Sequence, residues 1–452
     1  MERDPLKHKQ YFPTFEEMLY PETIQPSLRK EALESADKDP LHPSNLLNMH
    51  WRDASGMTRH VVLPPELTGV DCNIIVILGV GFPSGSHKVG PSYSILIEGI
   101  VDGDIYPSYH TIIAPSTGNF GIGAAYVTNL MGLKCKVVMP DNMSRERYER
   151  IRQYGADLIL TPGTESDVIL TLQKAHELKK QDQYRVLAQF ECMSNYRFHR
   201  YVTGNSMIDL ARRYGNGRIA MFASAPGSAG TLGAGDEIKR EFPEARVVAV
   251  EPNECPTLFS GGVGQHRIEG IGDKMCTLIH NVLQSDFLFR VSDEECVRTL
   301  CIIQQGEEIW PVAGPLKDLF GVSGMCNILA SIRMAKYLKL GPGDNVMTVA
   351  TDGFDRYHSV LEELERRSLE IEPHVLERWF NECFMADCDE RDVRDIRRKP
   401  EKERLFKQKE HDWLRFDYTQ EYLDSLRDQE TWEQEASKIP AYDEAIKQYR
   451  SS

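Results

Sequence analysis

Between about residues 72 and 360, short apolar runs alternate with amphipathic stretches, and this pattern most constrains the fold. The runs are Asn73–Gly79, Tyr109–Ala114, Lys134–Met139, Asp157–Leu160, Arg185–Phe190, Ile219–Ala223, Ala245–Val250 and Asn345–Ala350. Each has strand length, is partly β-branched, and ends near Gly, Pro, Ser or Asp. Between them, Gly121–Met131, Arg145–Tyr154, Ser166–Lys180, Ser206–Tyr214 and Ser323–Tyr337 read as helices. Continuous apolar strands separated by helices predict an α/β protein with mostly parallel sheets covered on both faces.

The flanks differ from this core. Residues 1–50 are Pro-rich without steady periodicity and read as an N-terminal arm. Residues 51–368 form the expected core, with a smaller, mobile subdomain at about 92–200. Residues 369–452 are rich in Glu, Asp, Arg and Lys but keep Trp379, Phe380, Trp413, Phe416, Tyr422, Trp432 and Tyr442. That many aromatics argues against full disorder, so a charged helical extension is expected, lying on the core or on a neighbouring subunit.

Composition narrows the function classes. The 452 residues carry a net charge of -15, which disfavours nonspecific attraction to nucleic acid or anionic membranes. No apolar run approaches the ~20 residues of a membrane span. The stretch Met1–Pro5 lacks the apolar character of a secretory signal, so a cytoplasmic setting is expected. None of the ten cysteines stands in a C-x-x-C pair, so they are expected to be reduced thiols, with no metal site.

Three segments carry chemistry. Ala114-Pro-Ser-Thr-Gly-Asn-Phe-Gly-Ile-Gly123 and Ala223-Ser-Ala-Pro-Gly-Ser-Ala-Gly-Thr-Leu-Gly233 each join a strand to a helix through small residues. Free N–H groups with a helix dipole behind them suit an anion, although each loop alone is equally a tight turn. The spacing Gly227, Gly230, Gly233 is not a dinucleotide fingerprint, and neither loop ends like a Walker loop. The third segment, Pro83-Ser-Gly-Ser-His-Lys88-Val-Gly90, places a lysine among small residues just after a strand, with a helix expected to start near Pro91–Ser94. Desolvated there, Lys88 would lose pKa and become a nucleophilic amine. Read alone, Lys88 is more often solvated surface, and His87 more often a packing residue.

Taken in order, Ser-His-Lys88, Ser116-Thr-Gly-Asn-Phe120, Gly227-Ser-Ala-Gly-Thr231 and Thr351-Asp-Gly-Phe-Asp-Arg-Tyr357 resemble the fold-type II pyridoxal-phosphate enzymes. These include the cysteine synthases, cystathionine β-synthases and threonine dehydratases. The resemblance spans about residues 55–365. Met139–Arg147, Gln189-Phe190, Glu251-Pro252, Glu269-Gly-Ile-Gly272 and Gly321–Gly324 extend it toward the cysteine synthases.

The resemblance implies two α/β domains, pyridoxal 5'-phosphate as cofactor, an amino-acid substrate and a homodimer. Lys88 matches the lysine that forms the Schiff base and later moves the Cα proton. Asn119 matches the partner of the ring 3′-oxygen. Gly227, Ser228, Ala229, Gly230 and Thr231 match the phosphate cup. Ser116, Thr117, Gly118 and Phe120 match the loop that grips the substrate carboxylate, with Gln189 as a second partner. Thr351 and Asp352 flank the position facing the pyridine nitrogen. The implied activity is that of a lyase or transferase: β-replacement or β-elimination through an aminoacrylate on a serine- or cysteine-type substrate. A threonine/serine dehydratase-type deaminase and a catalytically silent, cofactor-binding regulatory scaffold are the alternatives. Three departures bear on the reaction. Lys88 is followed by Val89-Gly90-Pro91 where Lys-x-Arg is usual. Phe120 replaces a threonine. Asp352 is the closest match to a usual serine.

Overall fold

The computed structural model describes residues 10–116, 118–163, 168–367 and 371–451. Eleven strands within them form two sheets. They are β1 (His60–Val62), β2 (Asn73–Leu78), β3 (Thr111–Pro115), β4 (Lys134–Pro140), β5 (Asp157–Thr161), β6 (Tyr184–Val186), β7 (Ile219–Ser224), β8 (Arg246–Pro252), β9 (Phe287–Val291), β10 (Asn345–Ala350) and β11 (Val393–Asp395). The larger sheet runs β1-β2-β10-β7-β8-β9-β11, parallel except for its two edge strands. The smaller sheet, β5-β4-β3-β6, is wholly parallel. The chain is thus an α/β protein of two parallel-sheet domains with a mainly helical C-terminal part.

The central strands read as unbroken apolar runs because both faces are covered. Every residue of β10 is buried, and β2 is buried from Ile74 to Leu78. On one face of the larger sheet, helices Asp293–Gln305, Val322–Tyr337 and Pro373–Cys383 pack with Ile74, Val76, Met221 and Val248. On the other face, Ile75, Ile77, Phe222 and Met347 share a core with Ile112, Ala114 and Val137 of the smaller sheet. The two sheets therefore meet around one apolar layer.

Beyond the strands β1 and β9, which were not among the expected runs, three segments differ from the sequence expectations. The run Arg185–Phe190 is a strand only to Val186, after which the chain turns, with the N–H groups of Glu191 and Cys192 donating to the Ala188 carbonyl. The helix expected near Pro91–Ser94 begins earlier, at Val89 directly after Lys88. Pro91 fits there because the first turn of a helix has no use for its N–H. The extension is mainly helical, but β11 pairs antiparallel with β9. Its charged residues Arg394 and Asp395 hid that edge strand from a hydrophobicity reading.

The extension continues through helices Lys399–Trp413, Gln420–Ser425, Gln429–Ser437 and Ile439–Ser451. Trp413, Phe416, Leu423, Leu426 and Trp432 cluster with Val168 and Leu172, with Phe190 and Tyr196, and with Met275, Leu278 and Ile279. All ten cysteines are free thiols. No helix among the described residues is long and apolar enough to cross a membrane.

Candidate active site

The loops that follow β2, β3, β7 and β10 all leave from the carboxyl ends of parallel strands, where open α/β sheets form crevices. They converge on one narrow cleft lined by Lys88, Ser116, Gly118, Asn119, Phe120, Gln189, Gly227, Ser228, Ala229, Thr231 and Thr351. Gly230 and Asp352 lie behind the lining, and Thr117 lies outside the described residues. The lining residues run from His87 to Thr351 in the chain and meet only through the fold.

Lys88 is the last residue before the helix Val89–Val101. Its Nζ reaches Ser228 Oγ at 3.4 Å, and the same hydroxyl accepts from Asn195 Nδ2 at 3.0 Å. Burial lowers the Lys88 amine from 10.5 to about 8, with Asp273 opposing that shift. Above pH 8 the neutral, nucleophilic amine therefore predominates, and below it the ammonium does. Capture of pyridoxal phosphate by the cofactor-free protein should accelerate as pH rises through about 8, well below 10.5, in rapid-mixing absorbance measurements.

Beneath Lys88 lies an aromatic floor in which His87 is the packing residue the sequence suggested, while Trp51 and His199 carried no motif signal. His87 stacks on Trp51 at 5.9 Å and meets His199 edge-on at 5.1 Å. Burial first, then the Lys88 charge, lowers His87 to about 3, so both rings are neutral packing groups at ordinary pH. Gly90 has a packing reason as well: a Cβ there would come within 2.1 Å of the Phe198 ring.

The loop after β7 is an anion cradle. Among the described residues, no acceptor takes the backbone N–H groups of Gly227, Ser228, Ala229, Gly230 or Thr231. Helix Leu232–Glu241 follows directly and adds its dipole. Ala229 sits at φ 65, which turns successive amides inward. A Cβ at Gly227 would meet the Gly270 carbonyl at 2.3 Å, so the loop fits only as glycine.

The loop after β3 is tied differently. Ser116 Oγ accepts from the N–H groups of Gly118 (3.0 Å) and Gly121 (2.8 Å), fixing the start of helix Asn119–Leu130. At Gly118 a Cβ would clash with the Arg147 guanidinium at 1.7 Å. Arg147 is buried and pairs with Glu269 at 2.5 Å, joining the smaller domain to the loop that carries Gly270–Asp273. Phe120 and Phe190 narrow the cleft, and Gln189 lines its wall.

At the end of β10 the two candidate residues separate. Thr351 lines the cleft, with its hydroxyl 2.8 Å from Ser323 Oγ. Asp352 is fully buried and accepts from Asn119 Nδ2 (2.6 Å) and the Tyr357 hydroxyl (2.7 Å). Burial raises its carboxyl above the usual range, with Arg356 and these two hydrogen bonds opposing. Asn119 Oδ1 accepts from Arg356 at 2.6 Å. The amide is thus oriented, with one Nδ2 hydrogen left beyond the Asp352 bond.

A buried amine, a ring of unused amide donors and a helix start suit an aldehyde-bearing phosphate ester. The family model described as "Pyridoxal-phosphate dependent enzyme" matches residues 65–352. The chain belongs to this family. Its cofactor is pyridoxal 5'-phosphate, and it is a fold-type II enzyme of the cysteine synthase-like group. A cysteine synthase of Staphylococcus aureus is 33% identical over 278 residues, which is 61% of this chain and 84% of that protein. Among solved structures, an O-acetylserine dependent cystathionine β-synthase from Helicobacter pylori matches with TM-score 0.58 and 27% identity, covering 66% of this chain and 94% of that one. An O-acetyl serine sulfhydrylase from Entamoeba histolytica matches with TM-score 0.60 and 26% identity, covering 72% and 92%.

This pyridoxal-phosphate enzyme also has cleft residues that the motif reading did not assign: His87, Phe190, Ala225, Gly270, Ile271 and Asp273. Most come from loops whose cleft position depends on packing, with no periodic signal. His87, Phe190, Ala225, Gly270 and Ile271 lie within the quoted motifs without an assigned cleft role, and Asp273 directly follows the Glu269–Gly272 motif.

Proposed function

We propose that this enzyme performs β-replacement or β-elimination on a serine- or cysteine-type amino acid, in the manner of the cysteine synthases it resembles. The observation that carries this reading is the buried Lys88 amine facing a cradle of unused N–H donors, in a chain with cysteine synthases among its relatives. The cofactor, when bound, supplies an electron sink for charge left on the substrate Cα.

The chain's own groups then have separable tasks. The amides of Gly227–Thr231 hold the phosphate, and Ser228 also orients Lys88 Nζ. Lys88 would hold the cofactor through its aldehyde, and its amine is placed to take and return the proton at the substrate Cα. Asn119 offers its remaining Nδ2 hydrogen to the ring 3′-oxygen. Thr351, in the cleft lining, would offer the pyridine nitrogen a neutral hydroxyl partner, while Asp352 acts from behind by holding Asn119. The loop Ser116–Phe120, including Thr117, binds the substrate carboxylate with Gln189. Phe120, in place of a hydroxyl-bearing residue, excludes water and favours a small β-substituent.

A dehydratase-type deamination of threonine is the neighbouring reaction, and the relatives named above favour the cysteine synthase-type course. We take about residues 92–200 as the part that closes on substrate, and the enzyme as a cytoplasmic homodimer. The test is a screen of β-substituted amino acids with sulfide and thiols, read by product and by cofactor absorbance. Serine-type amino acids should shift the spectrum, whereas the matching amines without a carboxylate should not. Equal shifts by both would remove the Ser116–Phe120 loop from the substrate site.

A further inference from the structure

The loop after Gly272 brings a carboxyl group to Lys88 that none of the family motifs accounts for. Asp273 lines the same cleft as Lys88 and Thr351. Its backbone is pinned on both sides. Thr257 Oγ1 donates to its carbonyl at 3.0 Å, and the preceding Gly272 N–H donates to the Pro226 carbonyl at 3.2 Å. The Gly272 carbonyl in turn meets His266 Nε2 at 3.0 Å. Gly270 and Gly272 stand at φ 94 and 72, conformations that let the loop turn sharply against Gly227.

The carboxyl itself has no structural task. Among the described residues, no hydrogen bond reaches its oxygens, although it is only 7% exposed. Burial raises it from 3.8 to about 7, with the Lys88 charge opposing. The other titratable groups around this pair are the Cys255 thiol, itself pushed up by burial, and the neutral His87 and His199 behind Lys88. A buried acid left without partners, facing the reacting lysine in a cleft, matches the placement of a proton-transfer group.

We propose that Asp273 serves the substrate β-carbon, giving a proton to the departing β-substituent and taking one from the incoming nucleophile, so that the cleft favours substrates whose leaving group departs protonated. The serine hydroxyl and the cysteine thiol are of that class, whereas an acetate ester leaves as a stable anion and needs no acid. This rests on the β-replacement reading above and specifies its substrate class.

The proton balance closes. The Cα–H bond breaks, with its proton going to Lys88 and its electron pair forming the Cα–Cβ double bond. The Cβ–X bond breaks with its pair on X, and X takes the Asp273 proton and leaves as H–X. The resulting carboxylate takes the proton of H–Nu as the pair on Nu forms the Cβ–Nu bond. Lys88 returns its proton to Cα. The sum is R–X plus H–Nu giving R–Nu plus H–X, with both side chains restored.

The test compares the holoenzyme with Asp273→Asn on two substrate pairs. L-serine with 2-mercaptoethanol needs both proton transfers, while O-acetyl-L-serine with hydrosulfide needs neither. With serine, kcat/KM should fall by about 10²-fold or more, and with O-acetylserine it should change little. Asp273→Ala should lose serine turnover likewise and regain part of it with added formate. A second readout uses no substrate. The absorbance of the bound cofactor, titrated against pH, should show an inflection from Asp273 that Asp273→Asn lacks. Equal losses on both pairs, no loss on serine, or identical titrations would overturn the proposal. An unsubstituted enzyme inactive on both pairs would overturn the β-replacement reading instead, and the spectral titration would still decide whether Asp273 senses Lys88.

Discussion

Lys88→Ala should lower turnover by about 10³-fold or more, while the chain still folds. The lysine is assigned two tasks, nucleophile toward the cofactor and proton carrier at Cα, and loss of one acid–base group alone costs about 10²–10⁴-fold. Folding should survive because the Lys88 ammonium contributes little to the fold. Its charge is costly in a fully buried position, as its lowered pKa records, and its one hydrogen bond is a long 3.4 Å contact to Ser228. Borohydride treatment followed by peptide mass measurement checks the assignment directly. The unsubstituted chain should carry a pyridoxyl group on the peptide containing Lys88, and the variant should carry none. A pyridoxyl mass on another lysine, or full turnover without Lys88, would refute the site.

Trp413→Ala should destabilise the enzyme by about 3–5 kcal/mol, the range for large aromatic-to-alanine changes in cores. Trp413 has no exposed surface, and its Nε1 donates to the Cys276 carbonyl at 2.7 Å. The same cluster contains Phe190, which also lines the cleft, and the neighbouring Glu191 accepts from the Tyr418 hydroxyl at 2.5 Å. The substitution should therefore act at a distance, loosening the wall that carries Gln189 as well as lowering the unfolding midpoint. Denaturant unfolding gives the first quantity, and the substrate KM the second. A variant that unfolds earlier with KM unchanged would show that the extension supports stability alone.

These two residues differ in how they could be read. Lys88 was legible because chemistry imposes local patterns. A loop that must bring backbone close to a phosphate uses Gly, Ser and Ala, and those signatures survive in the one-dimensional order Lys88, Ser116–Phe120, Gly227–Thr231, Thr351. The α/β architecture was legible for a similar reason, since strands covered on both faces must be apolar throughout. Trp413 was visible only as an aromatic in a charged tail. Its partners Val168, Phe190 and Met275 come from three separate segments, and no spacing along the chain encodes that meeting. The strand Val393–Asp395 was hidden because an edge strand needs only backbone pairing on one side, which charged residues permit.

The choice between Thr351 and Asp352 shows the division most sharply. Adjacent residues at a strand end point in different directions, so a one-residue ambiguity in the motif exchanges a neutral hydroxyl for a carboxylate. Only the folded chain puts Thr351 in the cleft and Asp352 behind it, against Asn119 and Tyr357. Asp273 is the same kind of case, an acid made consequential by burial beside a particular lysine. The sequence by itself determined the layered architecture, because strands covered on both faces must be apolar, and its ordered motifs pointed to the cofactor class through their resemblance to a known family. Tertiary structure decided which side chains share the cleft and what protonation states they keep, because burial and charge proximity are set by segments far apart in the chain.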